Sequence, residues 1–184
     1  HTWGGEPSAE EHGRRIAAFS FPGLDRVAHV FLRYARPADF GNVTGREVDL
    51  YGQVLERYYQ KIDAIVGAAL QPDPGETLVL VTSTHGIEPL ALGRRFLKEE
   101  TGGRPWSGVH PRGPGGFLLA LGPNIRRGYL FGKGSLTGVA PSALYALGLP
   151  VARDSDGAIL TSLFSETYTA SHPVTVVESY GKVR

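Results

Sequence analysis

The sequence predicts an α/β domain in which a mostly parallel sheet is flanked by helices. Three observations point there. Thr77-Leu78-Val79-Leu80-Val81-Thr82 is an unbroken apolar, β-branched run of the kind found in strands covered on both faces. Residues 46–70 carry an apolar stripe at helical spacing. The run of candidate elements reads strand, helix, helix, strand, helix, strand, helix, an alternation typical of parallel sheets.

The 184 residues suit a single domain. With 41% hydrophobic and 20% charged residues, a disordered chain is excluded. A formal net charge of +1 gives no electrostatic footprint for nucleic acid. The absence of Cys rules out disulfide scaffolds, thiolate metal sites and a Cys nucleophile. No apolar run approaches the roughly 18–20 residues that a membrane span needs. The chain opens on His1 and contains no Met, which leads us to expect a piece of a larger protein.

Taken in order, residues 1–15 form a polar leader, 16–160 the α/β domain, and 161–184 a C-terminal tail. Arg15-Ile16-Ala17-Ala18-Phe19-Ser20-Phe21 reads as a short buried strand closed by Pro22-Gly23. A helix is expected to start near Asp25, with Val27, Ala28, Phe31 and Leu32 on its apolar side and an acidic residue suiting its first turn. Pro37 to Gly45 is a loop. The long helix from Arg46 to Leu70 carries Leu50, Val54, Leu55, Tyr58, Ile62, Ile65 and Val66, and ends at Pro72, Pro74 and Gly75. After the strand at 77–82 comes another at Gly116 to Leu121, ended by Gly122-Pro123. A helix near Val139 to Leu147 closes at Gly148 and Pro150, and Pro173 to Glu178 is a candidate edge strand. Three main strands make a narrow sheet, so the fold reads as incomplete.

Most familiar motifs are missing. Gly128 to Ser135 is one residue short of a phosphate loop and has Gly134 where the hydroxyl belongs. Neither a G-x-S-x-G elbow nor an H-E-x-x-H helix occurs. The histidines are more informative. Asp25 and His29, spaced i and i+4 at the head of a helix, share one face with Cβ atoms roughly 5–6 Å apart. A carboxylate and an imidazole so placed can share an ion, since zinc accepts both; a capping Asp beside a half-buried His is the better account of the pair taken alone. His85 lies just beyond the carboxyl end of the 77–82 strand, where ligands gather in parallel sheets. His110 sits in the Gly- and Pro-rich stretch 107–116, which is able to fold back over the same edge.

Five strings in order resemble the alkaline phosphatase superfamily, and within it the type I phosphodiesterase/nucleotide pyrophosphatase group. Phe21 to His29 resembles its D-x-x-x-H element. Leu78 to Gly86 looks like its strand followed by S-D-H-G, and Gly108-Val109-His110 resembles its third metal-binding His. Gly116 to Arg127 is similar to its strand ending in G-P-x-I-R-x-G. Gly138 to Leu144, with Leu147-Gly148-Leu149-Pro150 and Asp156-Gly157, resembles its closing pattern.

The resemblance implies two divalent ions flanking a phosphate or sulfate, with a Thr or Ser attacking the phosphorus. On it, Asp25, His29 and His110 ligate one ion, and His85 belongs to the other with the residue before it. That residue is Thr84 where the family has Asp, and a neutral hydroxyl cannot replace a carboxylate's charge. Glu88 is a candidate for the missing carboxylate. The family's first metal-binding Asp and its nucleophile have no counterpart in residues 1–15, so the chain looks like the C-terminal half of the fold.

The expectation is therefore part of a metal-dependent hydrolase of phosphate esters. It would hold one ion rather than two, zinc or else manganese, and these residues alone would be inactive. A degenerate domain serving as a scaffold or binding module is the alternative. Leu90 to Trp106 is a natural place for substrate specificity.

Overall fold

Pro22 opens helix α1 (Pro22–Ala35) at a position where its missing N–H costs nothing. Leu24, Val27, Ala28, Phe31 and Leu32 then recur along one side, and Ala28 and Leu32 are buried with Leu55 from the next long helix. The computed structural model describes residues 15–70, 76–90 and 106–181. The 1–15 leader falls outside these residues except for Arg15. The 90–106 specificity stretch does so except for Leu90 and Trp106.

The expected long helix is two helices, α2 (Gly45–Tyr51) and α3 (Val54–Ala69). Thr44 caps α2: its hydroxyl accepts from the Glu47 N–H, and the Glu47 carboxylate accepts from the Thr44 N–H at 2.8 Å, a reciprocal capping box. Tyr51 on α2 packs against Tyr34 and Phe31 of α1, with ring centroids 5.1 and 6.0 Å apart. Leu55 of α3 enters the core with α1. The break at Gly52 and Gln53 lets both helices meet α1, and Leu50 is left exposed.

Strand β1 (Val79–His85) pairs with β4 (Gly115–Leu121), but antiparallel, from Val79↔Leu121 to His85↔Gly115. The same two stretches of chain pair again as β2 (Glu88–Pro89) and β3 (Gly108–Val109), also antiparallel. Among the described residues only β5 (Val151–Ala152) and β6 (Val176–Val177) are parallel, which places a strand inside the expected edge segment.

The class is thus mixed α/β, while the mostly parallel sheet is corrected. The described residues form two-stranded sheets, two of the three antiparallel. β1 and β4 are arms of one long ribbon, with no crossover helix among the described residues to turn the chain and make them parallel. The expected strand at 15–21 is corrected too. It joins no ladder, and Ile16 and Phe19 are exposed.

A second core gathers Tyr145 from α4 (Val139–Ala146) with Leu163, Phe164 and Tyr168, the last on α5 (Glu166–Ser171). Leu118 and Ala120 of β4 pack against it, whereas Phe117, Leu119 and Leu121 on the alternate positions are exposed. So β4 is covered on one face only. Ser142 in α4 is fully buried; its hydroxyl donates to Gly138 O at 2.7 Å and accepts from Leu160 N at 2.8 Å.

Candidate metal centre

Asp25 and His29 stand one turn apart on α1, as the i, i+4 spacing requires. His110 arrives from the ribbon. Between the pairs His85↔Gly115 and Glu88↔Val109, one arm contains residues 86–87 and the other 110–114. The surplus bulges out as a turn in which Gly113 N donates to His110 O at 2.9 Å, and Gly86 N to Pro114 O at 2.7 Å. The Glu88 carboxylate accepts from Arg112 N at 2.7 Å and braces the same turn.

Each imidazole has a committed side. His29 Nδ1 lies 2.7 Å from Gly108 O, and His110 Nδ1 lies 2.9 Å from Gly86 O. A carbonyl oxygen only accepts, so both Nδ1 atoms carry the hydrogen and donate. With Nδ1 so engaged, Nε2 is the atom each ring has left to offer a metal, the arrangement that second-sphere partners impose on metal-binding His.

Those atoms converge. The two Nε2 atoms are 3.1 Å apart; Asp25 Oδ1 is 2.9 Å from that of His110, and Asp25 Oδ2 is 3.5 Å from that of His29. Lone pairs and a carboxylate at these distances repel one another, and the repulsion is relieved either by a proton on one Nε2 donated to Asp25 or by a metal ion among them. An ion with bonds of about 2.0–2.2 Å in tetrahedral geometry sets its ligand atoms about 3.3–3.6 Å apart; the two Nε2 atoms are 3.1 Å apart, and one ligand atom from each of the three residues lies within 4.8 Å of the others. Asp25, His29 and His110 therefore fit a single metal ion, and they are the one such group among the described residues. Exposure rises from 12% at His29 through 29% at His110 to 45% at Asp25, so the group opens on the Asp25 side.

His85 is near but apart. Its ring packs 4.0 Å from that of His110, centroid to centroid, yet it joins no group of three ligating side chains among the described residues. Thr84 is exposed on β1, the Ser83 hydroxyl donates to His85 O at 2.9 Å, and Glu88 is held at the turn. Among the described residues, Asp25, His29 and His110 form the one group able to hold an ion.

Sequence reasoning missed the supports. Gly86 and Gly108 act through main-chain carbonyls, which no side-chain pattern reveals. A Cβ on Gly108 would overlap Ile87, with Cγ1 at 2.8 Å, and crowd Ala28 O at 3.0 Å, so only glycine lets β3 lie against α1. Trp106 covers the His29 ring at 4.3 Å. Its place four residues before His110 was the available signal.

Comparison with models of known protein families, with curated proteins and with solved structures finds no match to this chain.

Proposed function

We propose that this chain binds one divalent ion through Asp25, His29 and His110 and forms part of the metal centre of a phosphate-ester hydrolase of the alkaline phosphatase, type I phosphodiesterase kind. The observation that carries the reading is the convergence of two tautomer-fixed Nε2 atoms and a carboxylate on one point. The ordered motif resemblance supports the reaction class. Two imidazoles and a carboxylate suit zinc, with manganese the other candidate, and three protein ligands are the number found where a metal keeps a position for substrate or water. When bound, such an ion polarises a phosphoryl oxygen as a Lewis acid.

The chain's own residues hold and orient. Gly108 and Gly86 keep both rings in the binding tautomer, and Asp25 faces the open side. The nucleophile and the carboxylates of a second ion would come from outside these 184 residues. The exposed face of β4 at Phe117, Leu119 and Leu121 suits a covering segment.

The test is the zinc and manganese content of metal-reconstituted protein by elemental mass spectrometry. About one ion per chain is expected, and close to none in His29→Ala. No bound ion in the unaltered protein refutes the reading. Thr84 and the isolation of His85 favour a second reading, a domain that retains one ion without catalysis. Hydrolysis by a longer polypeptide carrying an upstream Asp and Thr would decide for the first.

A further inference from the structure

Ser107 is 2% exposed; its carbonyl accepts from Leu90 N at 2.8 Å, while its N–H and its hydroxyl meet the helix that carries Asp25 and His29. Its N–H donates to His29 O at 2.6 Å. Its hydroxyl lies 3.1 Å from His29 O and 2.9 Å from Val30 O, and accepts from Arg33 N at 3.2 Å. A serine hydroxyl is thus inserted into the hydrogen-bond ladder of α1 at the residue that supplies a ligand. The next residue, Gly108, takes the hydrogen of the His29 ring, and three residues on from Ser107 the chain delivers His110.

We propose that Ser107 is a positioning residue of the metal centre. It locks the His110-bearing strand to α1 at His29, so that the spacing of the two Nε2 atoms is set before an ion arrives. The inference rests on the reading of Asp25, His29 and His110 as ligands, and it adds a residue that touches no ion. No strand ladder ties the segment to α1 among the described residues: β3 has two residues, and its ladder partner is β2. Without the hydroxyl, the ties left from residues 106–108 to His29 are the Ser107 N–H, the Gly108 carbonyl on the ring and the Trp106 ring packed against it.

The experiment measures Zn²⁺ affinity by competition with a chromophoric chelator, together with the visible spectrum of the Co²⁺-loaded protein and the thermal midpoint of the metal-free form. Ser142→Ala is the control, because Ser142 is equally buried and equally hydrogen-bonded but belongs to the other core. Ser107→Ala is expected to weaken Zn²⁺ binding about 10–100-fold and to alter the Co²⁺ bands, the range found for outer-sphere partners of metal ligands. Ser142→Ala is expected to lower the thermal midpoint while leaving Zn²⁺ affinity and the Co²⁺ spectrum unchanged.

Linkage supplies a measurement on the unaltered protein that does not depend on a variant folding. If the pin strengthens ion binding, the ion strengthens the pin by the same factor. Zn²⁺ should therefore slow amide exchange at Ser107 and Arg33 by about 10–100-fold, and by less at Leu160. Unchanged affinity in Ser107→Ala, an equal loss in Ser142→Ala, or equal slowing at all three amides overturns the positioning role and leaves the metal reading intact. Failure of the unaltered protein to bind Zn²⁺ overturns both.

Discussion

Asp25→Asn is a sharp perturbation because it keeps the shape of the side chain and removes the charge. The carboxylate meets His110 Nε2 at 2.9 Å through one oxygen and His29 Nε2 at 3.5 Å through the other. Asn offers one weaker oxygen and an NH₂, so a ligand and a charge are lost together. A ligand that binds only the folded state stabilises it by RT ln(1 + [L]/Kd), about 2.7 kcal/mol at one hundred times Kd. For a chain of this size each kcal/mol moves the midpoint by about 2–4 °C, so zinc should raise the wild-type Tm by about 5–11 °C over the EDTA-treated protein.

If the substitution weakens binding 100-fold, the same zinc concentration contributes about 0.4 kcal/mol, or roughly 1–2 °C. Asp25 also sits in the first turn of α1, where losing its charge costs about 0.3–1 kcal/mol without any metal. The quantity to compare is therefore the zinc-minus-EDTA difference within each protein, read by differential scanning calorimetry. Equal differences in Asp25→Asn and wild type would refute the assignment of Asp25 as a ligand.

Further outcomes follow from the same geometry. His85→Ala should leave zinc affinity nearly unchanged in a competition titration while His29→Ala abolishes it, since His85 only packs on the His110 ring. Ser142→Ala removes the acceptor of Leu160 N, and an orphaned N–H there costs about 2 kcal/mol, a fall in Tm of about 4–8 °C. Glu47 is held below the usual carboxylate range, first by the Thr44 backbone N–H and then by the Thr44 hydroxyl. Its contribution is present above the ordinary glutamate range and is lost as pH falls through the lowered value. The stability difference between wild type and Glu47→Gln in urea should accordingly shrink on acidification; a difference that grows would contradict the capping box.

Local signals were legible where one element decides the outcome. Asp25 and the apolar spacing placed α1 three residues late, since Pro22 reads as closing a strand, and composition placed β1, β4 and α4 to within a few residues. Strand direction was not legible, because it depends on how residues 86–114 connect the arms, and their pairing as β2 and β3 has almost no signature. The break between α2 and α3 was half legible. Thr44-x-x-Glu47 announces a helix start, but the stop at Gly52 depends on how both helices meet α1. Ile16 and Phe19 illustrate the limit, since a run with strand composition forms no strand without a neighbour to complete its ladder. Asp25 and His29 were visible through their spacing, and His110 through the motif it resembles. That His110 meets them rests on a bulge and two glycine carbonyls, which spacing does not encode.

The bulge has a corollary for the site. Residues 110–114 face only 86–87 across the ribbon, so the length of this turn is not fixed by the pairing on either side. Deleting one residue among 111–113 would retract or rotate the imidazole of His110 while every flanking rung stays in register. His110 is therefore carried on a turn whose length the ladder leaves open and whose shape depends on a few local bonds, from Arg112 N to Glu88 and from Gly113 N to His110 O. Under the proposed reading, changes of length at this one turn would move a ligand of the ion while the ladder on either side keeps its register.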